Sequence, residues 1–557
     1  MRHTPSLAPN LAARGVARAL QTYDFIVIGS GSAGSVVAER LSASGRFSVL
    51  VLEAGGTDRR FYVQMPLGYG KTFFDSAVNW NYTAEPDPGL AGNADHWPRG
   101  KILGGSSSIN AMVWIRGARE DYDDWRDAGN PGWGFDDVLP AFKAIEDNDG
   151  GADEWRGTGG PVHVTDMSPA VHPLTHLYLK AGQQAGLPLN PDFNGASQEG
   201  VGIYQISTRD GRRMSAARAF LRPAMKRANV RVETNALATR ILFEGARAVG
   251  VEYERNGHKE TVRAGREVVV SAGSINTPQL LQLSGVGPAR LLQSLGIPVV
   301  RDNANVGANL QDHVGINYTY RAKVPTLNQI LRPWWGKLRV GMQYLLARSG
   351  PLSLSINNGG GFFRTDPSRA RPNMQLYFQA FSTVIPKPGE RPILAPDPWP
   401  GFSIGLSNAR PSSRGEIMIR SADPREHPRI VANAYSTNAD VDEMLDAVKF
   451  VRKIAAQPAI AGIIEAEFLP GPSVRSDADL IDDFRRRSGT VYHPVSTCRM
   501  GPDPVLSVVD ARLRVHGLQN LRVIDASIFP GNITGNTNAP SIMTGWKGGE
   551  MVVEDQR

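Results

Sequence analysis

The stretch VYHPVSTCRMG, residues 491–501, sets His493 five positions ahead of Cys498, the only cysteine in a chain of 557 residues. Those residue types could supply a proton acceptor, a thiol nucleophile or part of a metal site. An imidazole ordinarily titrates near neutral pH, so His493 suits proton abstraction from a hydroxyl. Cys498 has no second thiol to pair with and reads as a small buried hydrophobe. His172 and His176 have the i, i+4 spacing of a metal pair, but HPLTH lacks the glutamate of a metalloprotease helix. With no third ligand at a sensible spacing, no metal site is expected.

The frame that must position such a base begins at YDFIVIGSGSAGSVVAERLSASGRFSVLVLEAGG. Residues 24–28 and 48–52 are β-branched and aromatic runs that predict strands, with a helical pattern between them to about Ser44. In the loop, Gly29 permits a tight turn, Gly31 lets the backbone approach a pyrophosphate, and Gly34 lets helix and strand pack closely. Ser32 and Ala33 complete that loop, and the helix N-terminus offers free N–H groups to phosphate. Glu53, followed by Ala54, ends the second strand 19 residues after Gly34, where a carboxylate can bind ribose hydroxyls. The pattern predicts dinucleotide binding without separating NAD from FAD.

Three further stretches share this glycine-rich character. PRGKILGGSSSINAMVWIRG (98–117) holds a small-residue turn able to wrap an anion. EVVVSAGSINTPQLLQLSGVGP (267–288) reads as strand, turn and helix. NLRVIDASIFPGNITGNTNAPSIMTGWKGGEMV (520–552) reads as a strand ending at Asp525, a Gly/Asn loop, and a helix from about Pro540.

With these segments in this order, the chain resembles the glucose–methanol–choline (GMC) family of FAD-dependent oxidoreductases. NWNYTAEPDPGL (79–90), LQDH (310–313) and STCRMG (496–501) bring it nearest to the choline-dehydrogenase-like bacterial branch. The resemblance implies an α/β, two-domain fold: a discontinuous Rossmann-like FAD-binding domain over 23–160, 225–315 and 488–557, and a substrate domain over 161–224 and 316–487. The latter is expected to hold an antiparallel sheet flanked by helices. NMQLYFQAF (373–381) and GFSIGLSNARP (401–411) would be strands of that sheet, with Tyr377, Phe378, Asn408 and Tyr492 as candidate substrate contacts.

Carried over residue by residue, the resemblance gives Glu53 the adenosine ribose and Gly29, Gly31 and Gly34 the pyrophosphate. Leu103, Gly104 and Ser107 would continue that loop, with Asn110, Ala111, Met112 and Val113 along the isoalloxazine. Ala238 would contact adenine, Asp525 and Ala526 the ribityl and pyrophosphate, and Asn538 and Pro540 the pyrimidine edge. A helix beginning at Pro540 would aim its positive end at a reduced flavin. Ile109 stands where some members carry a histidine that attaches FAD, so non-covalent FAD is expected.

The same resemblance makes His493 the base that takes the hydroxyl proton while hydride moves to flavin N5. Counting eleven positions back from Lys547 gives Asn536 as the polar residue assisting it. The implied reaction is oxidation of a primary alcohol to the aldehyde, with a quinone, another carrier or oxygen as electron acceptor. A choline-specific dehydrogenase, a lyase of the same fold and an electron-relay flavoprotein are the alternatives; an intact His493 argues against a photodecarboxylase.

The bulk composition excludes other classes. A net charge of +7 from 61 basic and 54 acidic residues, without a Lys/Arg run, gives no footprint for nucleic acid. No stretch approaches a bilayer-spanning apolar length. Residues 1–22 carry three arginines, no acid and no apolar signal core, which reads as a disordered leader, with a transit peptide as the alternative. The expected location is cytoplasmic, with or without peripheral membrane association. LRPWWGKLRV (331–340) reads as a lid, a membrane-touching helix or a helix packed on the domain.

Overall fold

The computed structural model describes residues 21–384 and 395–557. The leader expected over 1–22 lies outside them except for its last two residues, and Thr22 already belongs to the first strand, Thr22–Ile28. That strand and Val49–Glu53 pair in parallel around the helix Gly34–Ser42. Five consecutive buried residues in Val49–Glu53 mark a strand covered on both faces, which is why its sequence shows no polar alternation.

The first sheet gains Val230–Thr234 beside Val49–Glu53, and His258–Val270 on the other side of Thr22–Ile28, both parallel. An antiparallel meander, Ala236–Glu244 with Arg247–Arg255, extends it along the first half of His258–Val270. Leu521–Val523 closes it by pairing in parallel with Val268, Val269 and Val270. Phe25, Val27, Val51 and Val268 are wholly buried, and each such side chain contributes about 1.5–3 kcal/mol of burial.

A second sheet is antiparallel throughout, in the order Ile464–Leu469, Val314–Ala322, Gly401–Asn408, Met374–Gln379, Gly359–Phe363 and Gly200–Ile203. Gly489–Thr490 adds to Val314 and Gly315, bringing the segment before His493 against this sheet. One face packs on the helices Pro173–Gln184 and Asn438–Ala455 through Tyr178, Phe378, Phe402 and Met444. The other face carries the odd-numbered residues Gln375, Tyr377 and Gln379 of the strand Met374–Gln379. Among the described residues, no helix is long and apolar enough to cross a membrane.

Candidate active site

The first glycine loop is shaped by contacts that only glycine permits. Gly29 has a φ of +93°, and a Cβ there would lie 2.4 Å from the Ser271 carbonyl oxygen. A Cβ on Gly34 would lie 2.0 Å from the Gly29 carbonyl oxygen, so helix and strand meet backbone to backbone. Gly31 has nothing within 4 Å of its Cβ position, leaving room for a ligand to approach the main chain. Glu53 is buried beneath the loop and accepts from the Ser30 amide (3.0 Å), the Ser30 hydroxyl (2.6 Å) and the Gly55 amide (2.8 Å). Burial raises its pKa despite these donors.

The second glycine loop packs directly on the first: a Cβ on Gly105 would lie 2.8 Å from the Gly31 Cα. Ser107 donates to the Gly104 carbonyl (2.5 Å) and accepts from the Ala216 amide (2.9 Å). Asn110 Oδ1 accepts from the Met112 amide (3.1 Å) and from Arg213 Nη1 (2.6 Å), which holds Met112 at a φ of +63°. Asp525 accepts from the Gly273 amide (2.8 Å), the Thr277 hydroxyl (2.6 Å) and the Ser527 amide (2.8 Å), tying two strand ends together. The C-terminal helix begins at Asn538, whose Oδ1 accepts from the Ser32 hydroxyl (2.8 Å), and Pro540 lies in its first turn.

All four segments open on a cavity of about 620 Å³. Its wall includes Gly29, Gly31, Ser32, Ala33, Glu53, Ala54, Asn110, Ala111, Met112, Val113, Ala238, Asp525, Ala526 and Asn538. Gly34, Leu103, Gly104, Ser107 and Pro540 stand behind this wall and shape it, while Gly105, Ser106 and Ser541 face inward. The open space at Gly31 and the two apposed glycine loops fit a dinucleotide such as FAD.

His493 and Asn536 line the same cavity, with His493 Nε2 3.1 Å from Asn536 Nδ2. Behind them, His493 Nδ1 lies 3.0 Å from His313 Nδ1, and His313 Nε2 lies 2.9 Å from the Ala409 carbonyl oxygen. A carbonyl only accepts, so His313 carries its proton on Nε2 and presents a bare Nδ1. His493 must then carry its proton on Nδ1, leaving the Nε2 lone pair toward the cavity and Asn536. Gln375 donates to Asn536 Oδ1 (3.1 Å) and accepts from the Tyr377 hydroxyl (2.8 Å), so the Asn536 amide group points its Nδ2 at His493.

Burial, then His313 and Arg99, hold the His493 pKa well below the ordinary imidazole value. Burial likewise lowers His313 to about 4. Both rings are therefore neutral near pH 7, the state a proton acceptor requires. The His493 backbone is anchored by Asp312, which accepts from its amide (2.7 Å) and from the Thr490 hydroxyl. Arg99 donates to the Tyr492 carbonyl (2.6 Å) and remains cationic, with burial lowering it only to about 10.

Tyr377 and Tyr492 line the cavity. Phe378 does not: strand parity turns it to the opposite face, where it stacks on Tyr178 with ring centroids 4.7 Å apart. Asn408 is also displaced from the cavity, because its Oδ1 accepts from the Val314 amide (2.8 Å) between strands. His313, Gln375, Asp312 and Asp95 were not among the expected site residues. LQDH carried a signal for two of them, but nothing in that tetrapeptide shows that His313 meets His493. Cys498 is wholly buried, and burial pushes its thiol well up. His172 caps the helix Pro173–Gln184 by accepting from the Leu174 amide (3.3 Å).

Family models described as GMC oxidoreductase match residues 23–315 and 411–545. An oxygen-dependent choline dehydrogenase of Sinorhizobium medicae is 42% identical over 537 residues, covering 96% of both chains. An alcohol dehydrogenase [acceptor] of Pseudomonas putida is 42% identical over 536 residues, covering 95% of this chain and 96% of that one. The crystal structure of pyridoxine 4-oxidase from Mesorbium loti superposes with a TM-score of 0.86 at 31% identity, covering 95% and 99% of the two chains.

Proposed function

The chain belongs to the GMC oxidoreductase family, and on that premise we propose that it oxidises a primary alcohol to the aldehyde with His493 as base and Asn536 as the assisting donor. It is an FAD-dependent oxidoreductase acting on CH–OH donors. The observation that carries the residue roles is the directed chain Ala409–His313–His493–Asn536–Gln375, which leaves one imidazole lone pair and one amide N–H converging on the cavity.

An alcohol oxygen entering between His493 and Asn536 would give its proton to His493 Nε2 and accept from Asn536 Nδ2. Proton loss makes the oxygen an alkoxide, and the amide N–H stabilises that charge without competing for the proton. His313 acts through His493: it holds the ring's other proton in place and so selects the reactive tautomer. When bound, FAD supplies at flavin N5 the acceptor for the hydride that leaves the carbinol carbon. The residues that would hold FAD are Glu53 and Ala238 at the adenosine, both glycine loops and Asp525 at the phosphates and ribityl, and Asn110–Val113 with Asn538 at the ring. A quinone, another carrier or oxygen would be the final acceptor of the two electrons.

In this reading the FAD-binding unit is assembled from 23–160, 225–315 and 488–557, and the substrate unit from 161–224 and 316–487. The division is supported by a first sheet drawn from Thr22–Glu53, Val230–Val270 and Leu521–Val523. A neutral alcohol is favoured over a quaternary-ammonium one. Asp95 lines the cavity and could pair a cation, but it already accepts from the Thr490 amide (2.5 Å), and Arg99 and Arg487 line the same space.

Two outcomes follow. Anaerobic mixing of holoprotein with a panel of primary alcohols, choline included, should bleach the flavin absorbance; a lyase or electron relay would leave it unchanged. Because the side chain at the attachment position is Ile109, acid precipitation should leave all yellow colour in the supernatant. Colour in the pellet would refute non-covalent binding.

A further inference from the structure

The helix Trp334–Ala347 is amphipathic in the inverse sense. Successive residues on a helix advance by about 100°, so Gly336, Val340 and Tyr344 form one narrow seam, and that seam is what the helix buries. Trp334, Trp335, Leu338, Met342, Leu345 and Leu346 occupy an outward arc of about 120°. All six are exposed, Trp334 to 76% and Leu346 to 79%. Phe61, 52% exposed, sits at the packed seam, its ring 6.2 Å from that of Tyr344. A contiguous apolar surface of this kind marks an interaction site.

Charge identifies the occupant. Residues 321–365 contain seven Lys or Arg and no Asp or Glu. On the wheel Lys337 and Arg339 flank the apolar arc, and Arg348 and Arg212 cluster at Tyr344 by the helix C-terminus. Among the described residues, none of these four cations is paired with a carboxylate. Exposed Asp210, beside Arg212, offsets part of the charge at the C-terminal end, while two tryptophans, long aliphatic side chains and the flanking Lys337 and Arg339 match the headgroup–acyl boundary of an anionic bilayer.

We infer that the helix Trp334–Ala347 docks this protein onto the surface of an anionic lipid bilayer, with its apolar arc inserted and Lys337 and Arg339 against the headgroups. Ile356 and Asn357, nine and ten residues beyond Ala347, line the cavity. The inference does not depend on the alcohol chemistry.

Holoprotein sedimented with phosphatidylcholine vesicles containing about one-third phosphatidylglycerol should pellet, and raising salt from about 0.05 to 0.5 M should release it. Pure phosphatidylcholine vesicles should retain far less. Trp335→Ser/Leu338→Ser and Lys337→Glu/Arg339→Glu should each bind at least about tenfold more weakly, while turnover of soluble alcohol with a soluble dye acceptor is unchanged, which confirms folding. Wild type remaining in the supernatant would overturn the inference, as would Trp335→Ser/Leu338→Ser binding like wild type. So would a stable dimer in light scattering that the same substitutions dissociate, since the arc would then face a second copy of the chain.

Discussion

His493→Ala is expected to retain yellow, bound FAD and to lose about 10²–10⁴ in kcat/KM for alcohols. The loss follows from geometry: His493 Nε2 is the one lone pair that the histidine–asparagine chain directs into the cavity, and alanine removes it without touching the glycine loops. The pH profile carries the sign. A base works when neutral, and burial with His313 and Arg99 depresses the His493 pKa below 6.5. Wild-type kcat/KM should therefore fall on the acid side as pH drops through that lowered value, below the range in which Asp312 (about 7) and Asp95 (about 6), raised by burial and present in both proteins, titrate. In His493→Ala that acid limb should vanish, whereas a purely structural role would scale the whole profile and keep the limb.

Asn536→Ala should have the next largest effect, a loss of about 10²–10³ in kcat/KM, the usual cost of removing one donor aimed at a developing oxyanion. Unlike His493→Ala, it should keep the acid limb, because His493 and His313 still define the base and its tautomer. Alkoxide stabilisation predicts that the loss falls mainly on kcat; a loss confined to KM would make Asn536 a simple substrate contact.

Much of the frame was legible in the residues. The GSGSAG loop between two short β-branched runs specifies strand, turn and helix at once, because each glycine answers a separate steric demand: Gly29 a positive φ, Gly34 a backbone contact, Gly31 open space. Asn536 and His493 could be paired across 43 positions only through the family resemblance, and the structure brings them to 3.1 Å.

The rest was hidden for identifiable reasons. Met374–Gln379 is buried on both faces along almost its whole length, so hydrophobicity does not say which parity faces the cavity, and Phe378 was placed on the wrong side. Asn408 ends the strand Gly401–Asn408, and its side-chain oxygen is used up by the Val314 amide, a pairing across strands that its own sequence does not report. His313 precedes His493 by 180 residues, and their contact depends on the strand Val314–Ala322 pairing with Gly489–Thr490, a long-range register that no local pattern reports. The helix Trp334–Ala347 was equally open to burial or exposure until its seam of Gly336, Val340 and Tyr344 proved to be the packed side.

The central claim is that the His493 lone pair takes the alcohol proton at the flavin site. The most direct measurement is rapid anaerobic mixing of wild type and His493→Ala, each fully loaded with FAD, with the best alcohol of the panel while flavin absorbance is followed. Fast bleaching in wild type beside bleaching slower by about 10² or more in the variant is the predicted result. Bleaching of His493→Ala at a rate near wild type, with the same amount of bound FAD, would contradict it.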